Sequence, residues 1–173
     1  MNEPTLLLDH IETPIGRLAV IADEDGKLRA VGWTDGHPRM ERLHASLRPT
    51  SNPGGLTAAL RAYFAGDLTV LDSLPAAFAV GSHFQRTVWH SLRQIPCGET
   101  RSYRDIARLI GKPAAVRAVG RAAGANPIAV VVPCHRVVGS DGSLTGYGAG
   151  IERKSWLLAH ERGGHSAVQV VLC

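Results

Sequence analysis

Five apolar residues, Ile128-Ala129-Val130-Val131-Val132, run without a break into Pro133-Cys134-His135-Arg136, and Val137-Val138 follow. An apolar run of that length has to leave water. The chain must therefore carry a thiol, an imidazole and a guanidinium into or against its own core. Pro133 suits the first position of a helix and a switch from extended to helical backbone. If a helical turn starts here, Cys134 sits at its positive end. Thiolate is the nucleophilic form, and nearby positive charge lowers a thiol pKa from about 8.5. On this stretch alone two readings stand. Cys134 is either activated by its neighbours or a small buried hydrophobe in a strand, the usual state of a free cysteine.

The chain has 173 residues, enough for one large or two small domains with real cores. With 45% hydrophobic and 20% charged residues, the composition is that of a soluble globular protein. No apolar run approaches the ~20 residues that span a membrane, so no membrane partner is expected. The start, Met1-Asn2-Glu3-Pro4, has no basic region before an apolar core, and no signal peptide is expected. Cys97, Cys134 and Cys173 are odd in number and widely spaced, which argues against a disulfide framework and a four-cysteine zinc site. A reducing, cytoplasmic setting follows, with no metal and no cofactor expected.

Charge divides the chain. Residues 1–82 carry 7 Lys+Arg against 10 Asp+Glu, a net −3, and residues 83–173 carry 12 against 5, a net +7. A basic half beside an acidic one points to a polyanion meeting the C-terminal part.

Residues 5–33 read as β structure: Leu6-Leu7-Leu8 with Ile11, the turn Thr13-Pro14-Ile15-Gly16, Leu18 to Ala22, the turn Asp23-Glu24-Asp25-Gly26, then Leu28 to Trp33. Pro38 to Leu47 reads as a helix. Leu56 to Phe64 is a stronger one, with Leu56, Leu60, Tyr63 and Phe64 on one face and Gly66 closing it. His10, His37 and His44 are scattered and carry no mechanism. The Pro/Ala/Gly/Ser-rich stretch 72–82 reads as a linker, which puts an N-terminal α/β domain at 1–82 and a second domain at 83–173.

From Phe84 the pattern turns helical and stops at Pro96. Ser102 and Asp105 have capping-box spacing for a second helix with Tyr103, Ile106, Ala107 and Ile110 inward. Gly111 stops it, and Pro113 opens a third helix, Ala114 to Ala123. The pair has a helix-turn-helix outline. On the third helix Ala115, Val116, Val119 and Ala122 face inward, and Arg117, Gly120, Arg121 and Gly124 form the opposite strip. Glycine costs about 1 kcal/mol in a helix relative to alanine. Two glycines between two arginines clear a face for close approach of a backbone, and nucleic acid fits it better than a packed helix does. After Val138 come a tight turn, Gly139 to Gly142, and a glycine-rich loop, Thr145 to Gly150. Such a loop can aim backbone N–H groups at a ligand or simply connect. Ile151 to Glu161 reads as a last helix with Ile151, Ser155, Leu158 and Ala159 on one side. Val168 to Cys173 is an optional strand, Cys97 is structural and Cys173 incidental.

Pro133-Cys134-His135-Arg136-Val137 resembles the active-site signature of the O6-alkylguanine-DNA alkyltransferases, the methylated-DNA–protein-cysteine methyltransferases. Asn126-Pro127, Arg117-Ala118-Val119-Gly120, Ser102-Tyr103, Gly146-Tyr147 and Trp156-Leu157-Leu158-Ala159-His160-Glu161 are similar to that family in order and spacing. The likeness covers residues 84–161. Thr13-Pro14-Ile15-Gly16 and Asn52-Pro53-Gly54-Gly55-Leu56 resemble the bacterial single-function branch. The fold implied is α+β: an N-terminal ribonuclease-H-like α/β domain and a C-terminal helical, winged-helix-like DNA-binding domain.

The resemblance also implies a reaction. Cys134 would take the alkyl group from O6 of guanine (and, on one reading, from O4 of thymine) in double-stranded DNA, once and irreversibly. Glu161 would orient His135, which through a water removes the thiol proton. Asn126 would tie the turn. Tyr103 would donate to the ring edge of the base, and the carbonyls of Cys134 and Val137 would accept from its amine. Tyr147 would wall the pocket and the Gly148 N–H would reach O6. Arg117 would fill the gap left by the flipped base, with Ala118, Gly120 and Arg121 on the same DNA-facing helix. A monomer is expected, with side-by-side loading on DNA left open. Arg136 would point away from the thiol as a structural ion-pair partner. Two departures stand out: Ser82-His83 occupies the place of a frequent Thr-Pro pair, and Gly148 that of a serine. No cysteine precedes Cys97, so the N-terminal zinc site of some relatives is not expected.

Two other readings use part of these features. A non-enzymatic DNA-binding regulator leaves Cys134, His135 and Glu161 without a purpose. A cysteine hydrolase leaves the Arg/Gly helix unexplained.

Overall fold

The computed structural model describes residues 5–35 and 47–163. They fall into two compact units, one ending at Ala77 and one running on from Phe78. The fold is α+β, with a mixed sheet in the first unit and helices dominating the second.

In the first unit β1 (Leu6–Thr13), β2 (Gly16–Asp23) and β3 (Leu28–Trp33) form a meander. A fourth strand, β4 (Leu47–Pro49), lies parallel to β1, so the sheet order is β3-β2-β1-β4. Two-residue periodicity sorts the side chains. Ala19, Ile21 and Ala30 cluster with Leu6, Leu8 and Leu47 on one face, while Leu7, Ile11, Leu18 and Val20 alternate to the other. Helix α1 (Leu56–Phe64) buries Leu56, Thr57, Leu60 and Tyr63, worth about 1.5–3 kcal/mol for each large apolar side chain. Phe64, expected on that face, is only half-buried. Asp9 accepts from the Asn52 N–H at 2.8 Å and the Thr57 hydroxyl at 3.0 Å, which ties the start of α1 to β1. A Cβ on Gly54 would come within 3.0 Å of the Gly26 Cα, so this turn needs glycine.

Two expectations change here. The helix expected from Pro38 lies outside the described residues up to its last position, Leu47, and that residue opens β4 instead. The stretch read as a linker is partly tied down. The Leu28 N–H donates to the Pro75 carbonyl at 2.8 Å and the Ala77 N–H to the Leu28 carbonyl at 2.9 Å. The optional strand from Val168 to Cys173 lies outside the described residues.

In the second unit α2 (His83–Leu92) starts from a full capping box, Ser82 with Gln85. The Ser-His departure thus supplies its own cap. β5 (Arg101–Ser102) leads into α3 (Tyr103–Leu109), whose box is Ser102 with Asp105, as the spacing predicts. Helix α4 (Val116–Gly124) begins after Ala115, later than expected. Pro113 lies in a turn closed by the Ala115 N–H on the Lys112 carbonyl, so the connection from α3 is longer than the short break expected. α4 packs on both α2 and α3, and the Trp89 indole N–H donates to the Ala122 carbonyl at 2.7 Å. β6 (Val137–Val138) pairs in parallel with β5, and α5 (Ile151–Glu161) has the predicted bounds.

Candidate active site

The apolar run before Cys134 is not a strand. It folds into consecutive tight turns. The Val131 N–H donates to the Ala129 carbonyl and the Cys134 N–H to the Val132 carbonyl, each at 2.8 Å. Val130, at the centre of the first turn, has φ 70°. A β-branched residue in the left-handed region costs about 1–3 kcal/mol and persists only where its surroundings over-determine it. Here they do. Ile128, Val130 and Val132 are fully buried. The Asn126 side chain accepts from the Ile128 N–H at 3.0 Å and donates to the Val132 carbonyl at 2.7 Å. The same amide nitrogen stands 3.2 Å from the Cys134 Sγ. One buried asparagine thus ties both ends of the turn and the thiol.

Cys134–Arg136 is a single 3-10 turn, too short to act as a helix terminus on the thiol. It delivers two side chains to one carboxylate. His135 Nε2 lies 2.7 Å from Glu161 Oε1. Arg136 donates from Nε to Oε2 at 2.8 Å and from its terminal nitrogen to Oε1 at 2.9 Å, and its other nitrogen donates to the Ile95 carbonyl at 2.7 Å. His135, Arg136 and Glu161 are all buried. A carboxylate at a helix C-terminus meets the negative end of the dipole, and these two partners offset that. Burial alone would raise the Glu161 pKa; the bonds from His135 and Arg136 outweigh it and hold the carboxyl well below the carboxylate range. Burial lowers the His135 pKa, so the ring is neutral near pH 7, with Nε2–H on Glu161. Its Nδ1 is buried and has no hydrogen-bond partner among the described residues.

Tyr103, the first residue of α3, donates to the Thr145 carbonyl at 2.9 Å, and burial raises its pKa. Val137 is buried in β6. Tyr147 lies in the glycine-rich loop with its hydroxyl enclosed, and burial lifts its pKa well above the usual 10. Gly148 is exposed in the same loop, which the Gly150 N–H closes on the Tyr147 carbonyl at 2.9 Å. On α4, Arg117, Arg121 and Gly124 are exposed and Val119 and Ala122 buried, as periodicity predicts, whereas Ala115 and Val116 of the expected inward face, Gly120 of the expected outer strip, and Ala118 are half-buried. A Cβ on Gly120 would meet the Tyr103 ring at 3.8 Å, so the arginine-glycine strip adjoins the tyrosine. Among the described residues no three His, Cys, Asp or Glu side chains gather to hold a metal ion.

Models of two families match the chain. One is described as 6-O-methylguanine DNA methyltransferase, ribonuclease-like domain, over residues 6–78, and the other as the DNA binding domain of the same protein over residues 83–163. The chain belongs to the 6-O-methylguanine DNA methyltransferase family. It is 50% identical over 165 residues to the methylated-DNA–protein-cysteine methyltransferase of Shigella flexneri, covering 90% of this chain and 95% of that one. It is 48% identical over 162 residues to that of Mycolicibacterium paratuberculosis, covering 94% and 95%. The crystal structure of Mycobacterium tuberculosis O6-methylguanine methyltransferase superposes with a TM-score of 0.81 at 39% identity, over 98% of this chain and 100% of that one. The same organism's OGT in complex with DNA gives 0.81 at 40% identity, over 96% and 99%.

Within this methyltransferase fold the charge pattern around the thiol differs from the one expected of adjacent cations. Burial raises the Cys134 pKa, more than the bond from Asn126 and the charge of Lys154 lower it. Arg136 is paired with Glu161 and bonded to the Ile95 carbonyl, and His135 is neutral. The inward face of α5 also differs. Ile151 and Ser155 are exposed, whereas Lys154, Leu157, Leu158 and Glu161 are buried. Lys154 is fully buried, and its Nζ donates to the Thr145 carbonyl at 3.1 Å and lies 5.8 Å from the Tyr103 ring centroid. Spacing could have found it. Counting back from an inward Glu161 by three, four and seven residues reaches Leu158, Leu157 and Lys154.

Proposed function

We propose that Cys134 is the alkyl acceptor of this methyltransferase and that duplex DNA carrying O6-alkylguanine is its substrate. The observation that carries the reading is the thiol held by Asn126 beside a buried, neutral His135 whose Nε2 is fixed on Glu161 and whose Nδ1 is unpaired. A water between Nδ1 and Sγ carries the thiol proton to His135, which becomes an imidazolium paired with Glu161. The sulfur then attacks the alkyl carbon. The S–C bond forms and the C–O6 bond breaks with its electron pair on the purine, which takes up one proton. Products are S-alkylcysteine and guanine, so each molecule reacts once.

Asn126 holds the nucleophile's turn. Tyr103 leaves the Thr145 carbonyl to donate to the ring edge of the base, between Tyr147 and the Gly148 N–H. The carbonyls of Cys134 and Val137 accept from its amine. Arg117 fills the vacated stack, and Ala118, Gly120 and Arg121 lie along the minor groove. A relative's structure with DNA and the exposed Arg117, Arg121 and Gly124 of the strip support this partner. The protein acts as a monomer in the cytoplasm, in keeping with three cysteines that are odd in number and widely spaced.

The test is intact mass after mixing with a duplex that contains O6-methylguanine. The expected result is one methyl group per molecule, located on Cys134 by peptide mass and absent from Cys134→Ser. Transfer by Cys134→Ser, or repeated turnover, overturns the reading.

A further inference from the structure

The loop from Thr145 to Gly150 runs along the surface, with Thr145, Gly146, Gly148 and Gly150 exposed. Its two ends converge on one residue of α5. Lys154 donates from Nζ to the Thr145 carbonyl at 3.1 Å and from its backbone N–H to the Gly150 carbonyl at 3.3 Å. Arg153 reaches only the far end, at the Ala149 carbonyl. The Lys154 side chain is fully buried. Enclosing an amine is costly unless polar partners compensate it. The ion pairs of the described residues do not involve Lys154, so its head group is given to the loop and not to a carboxylate. The Thr145 carbonyl has a second donor, the Tyr103 hydroxyl at 2.9 Å, and Nζ stands 5.8 Å from the Tyr103 ring centroid. One oxygen thus accepts from two side chains, as its two lone pairs allow.

We propose that Lys154 is the anchor of the Thr145–Gly150 loop, a positioning residue that keeps the loop in place when Tyr103 exchanges the Thr145 carbonyl for the base. The proposal rests on the functional reading, in which Tyr103 donates to the purine and Tyr147 and the Gly148 N–H meet it. That exchange takes one of two donors from the Thr145 carbonyl at the moment the loop has to hold its shape. Lys154 supplies the donor that stays. It sits in the first turn of α5, and the other end of that helix is fixed by the bonds of Glu161 to His135 and Arg136. The loop is therefore tied to the helix that also carries the carboxylate of the relay. For this role Lys154 touches neither substrate nor sulfur; it acts through one carbonyl oxygen. Groups that meet the base lose their alignment when the anchor is removed, and a misplacement of about 1 Å can cost about 100-fold in rate. Binding of the duplex, made on the outer face of α4, is left in place.

Fluorine NMR on fluorotyrosine-labelled protein reads the loop through Tyr147, whose hydroxyl is enclosed. The other tyrosines, Tyr63 and Tyr103, lie outside the loop. Lys154→Met removes the donor and keeps an unbranched side chain. It is expected to move the Tyr147 resonance toward its unfolded position with a larger solvent isotope shift, whereas Tyr103→Phe leaves the resonance in place because Lys154 still holds Thr145. A resonance unmoved in Lys154→Met, or moved as far in Tyr103→Phe, overturns the proposal. Single-turnover transfer from a duplex O6-methylguanine oligonucleotide then separates rate from binding. Lys154→Met is expected to keep the half-saturating duplex concentration within about twofold and to lower the saturating rate constant about tenfold. An unchanged rate constant, or a loss carried by weaker binding alone, overturns it. If Lys154→Met does not fold, nitrogen-labelled lysine NMR on Cys134→Ser decides. Lys27 and Lys112 are exposed, so a slowly exchanging Nζ signal belongs to Lys154. That signal is expected to persist when the duplex binds, and its loss on binding overturns the proposal. A wild type that gains no methyl on Cys134 overturns the functional reading instead, while the Tyr147 resonance, which needs no reaction, still decides the anchor.

Discussion

The amide nitrogen of Asn126 lies 3.2 Å from the sulfur of Cys134 and 2.7 Å from the carbonyl of Val132, so the group that braces the turn also contacts the thiol. Stability and reactivity are joined at one side chain. Asn126→Ala leaves the buried Ile128 N–H unpaired, at about 1–3 kcal/mol, and removes one of the two donors to the Val132 carbonyl. Urea denaturation should show a loss of about 2–4 kcal/mol, and single-turnover transfer should slow by more than about tenfold. A variant that loses stability but transfers at the wild-type rate would separate the two roles and reject the contact to sulfur.

Replacing Glu161 by Gln removes the negative charge from a buried site that keeps Arg136. Breaking such a pair from one side costs about 3–5 kcal/mol. Thermal and urea unfolding of Glu161→Gln measure it. A loss under about 1 kcal/mol would mean that Arg136 finds compensation elsewhere.

Acid should weaken the fold in two stages. His135 has a folded-state pKa below its ordinary 6.5, so the unfolded chain binds that proton first. Its contribution is complete above pH 6.5 and is lost as pH falls below it. Glu161 lies below its ordinary 4.5, so its contribution is present above that value and is lost further down. Unfolding free energy measured from about pH 8 to about pH 3 should be level down to about pH 7, fall as pH drops through the ordinary histidine range, and fall again below the ordinary carboxylate range. Glu161→Gln should flatten the lower limb. A profile that rises on acidification contradicts both directions.

The two glycines on the outer strip of α4 separate the DNA reading from simple helix packing. A Cβ on Gly120 meets only the Tyr103 ring, at 3.8 Å, and one on Gly124 meets nothing within 4 Å. Gly120→Ala with Gly124→Ala should therefore raise stability, by up to about 1 kcal/mol per site from helix propensity. Duplex binding, measured by fluorescence anisotropy, should weaken. Unchanged binding would remove the reason for glycine on this face.

Arg117 is exposed on the same strip. Arg117→Ala should slow transfer from a duplex far more than transfer from free O6-methylguanine base, because base extrusion costs a few kcal/mol that the free base does not require. Equal effects on both substrates would reject a role in flipping.

Much of this was legible in residue order, and the exceptions have physical reasons. The capping pair Ser102–Asp105 and the bounds of α5 follow from local rules, and local contacts enforce them. β4 was missed because Leu47-Arg48-Pro49 has no periodicity of its own and is a strand only by pairing with β1. The face of α5 was misjudged because lysine is assigned to water by default, whereas Lys154 is held inside by a loop carbonyl and an aromatic ring. The tight turns of residues 128–134 were equally hidden. A valine at positive φ is a local contradiction that only the surrounding structure can impose.

Arg136 reaches the Ile95 carbonyl just beyond α2 with one nitrogen and Glu161 at the end of α5 with two others. Segments far apart in the chain therefore meet two residues from Cys134. An incompletely folded molecule lacks the bonded imidazole as well as the missing helix. A protein that can be used only once gains a safeguard from this: immature copies stay chemically silent, and only a finished fold can discharge its single equivalent.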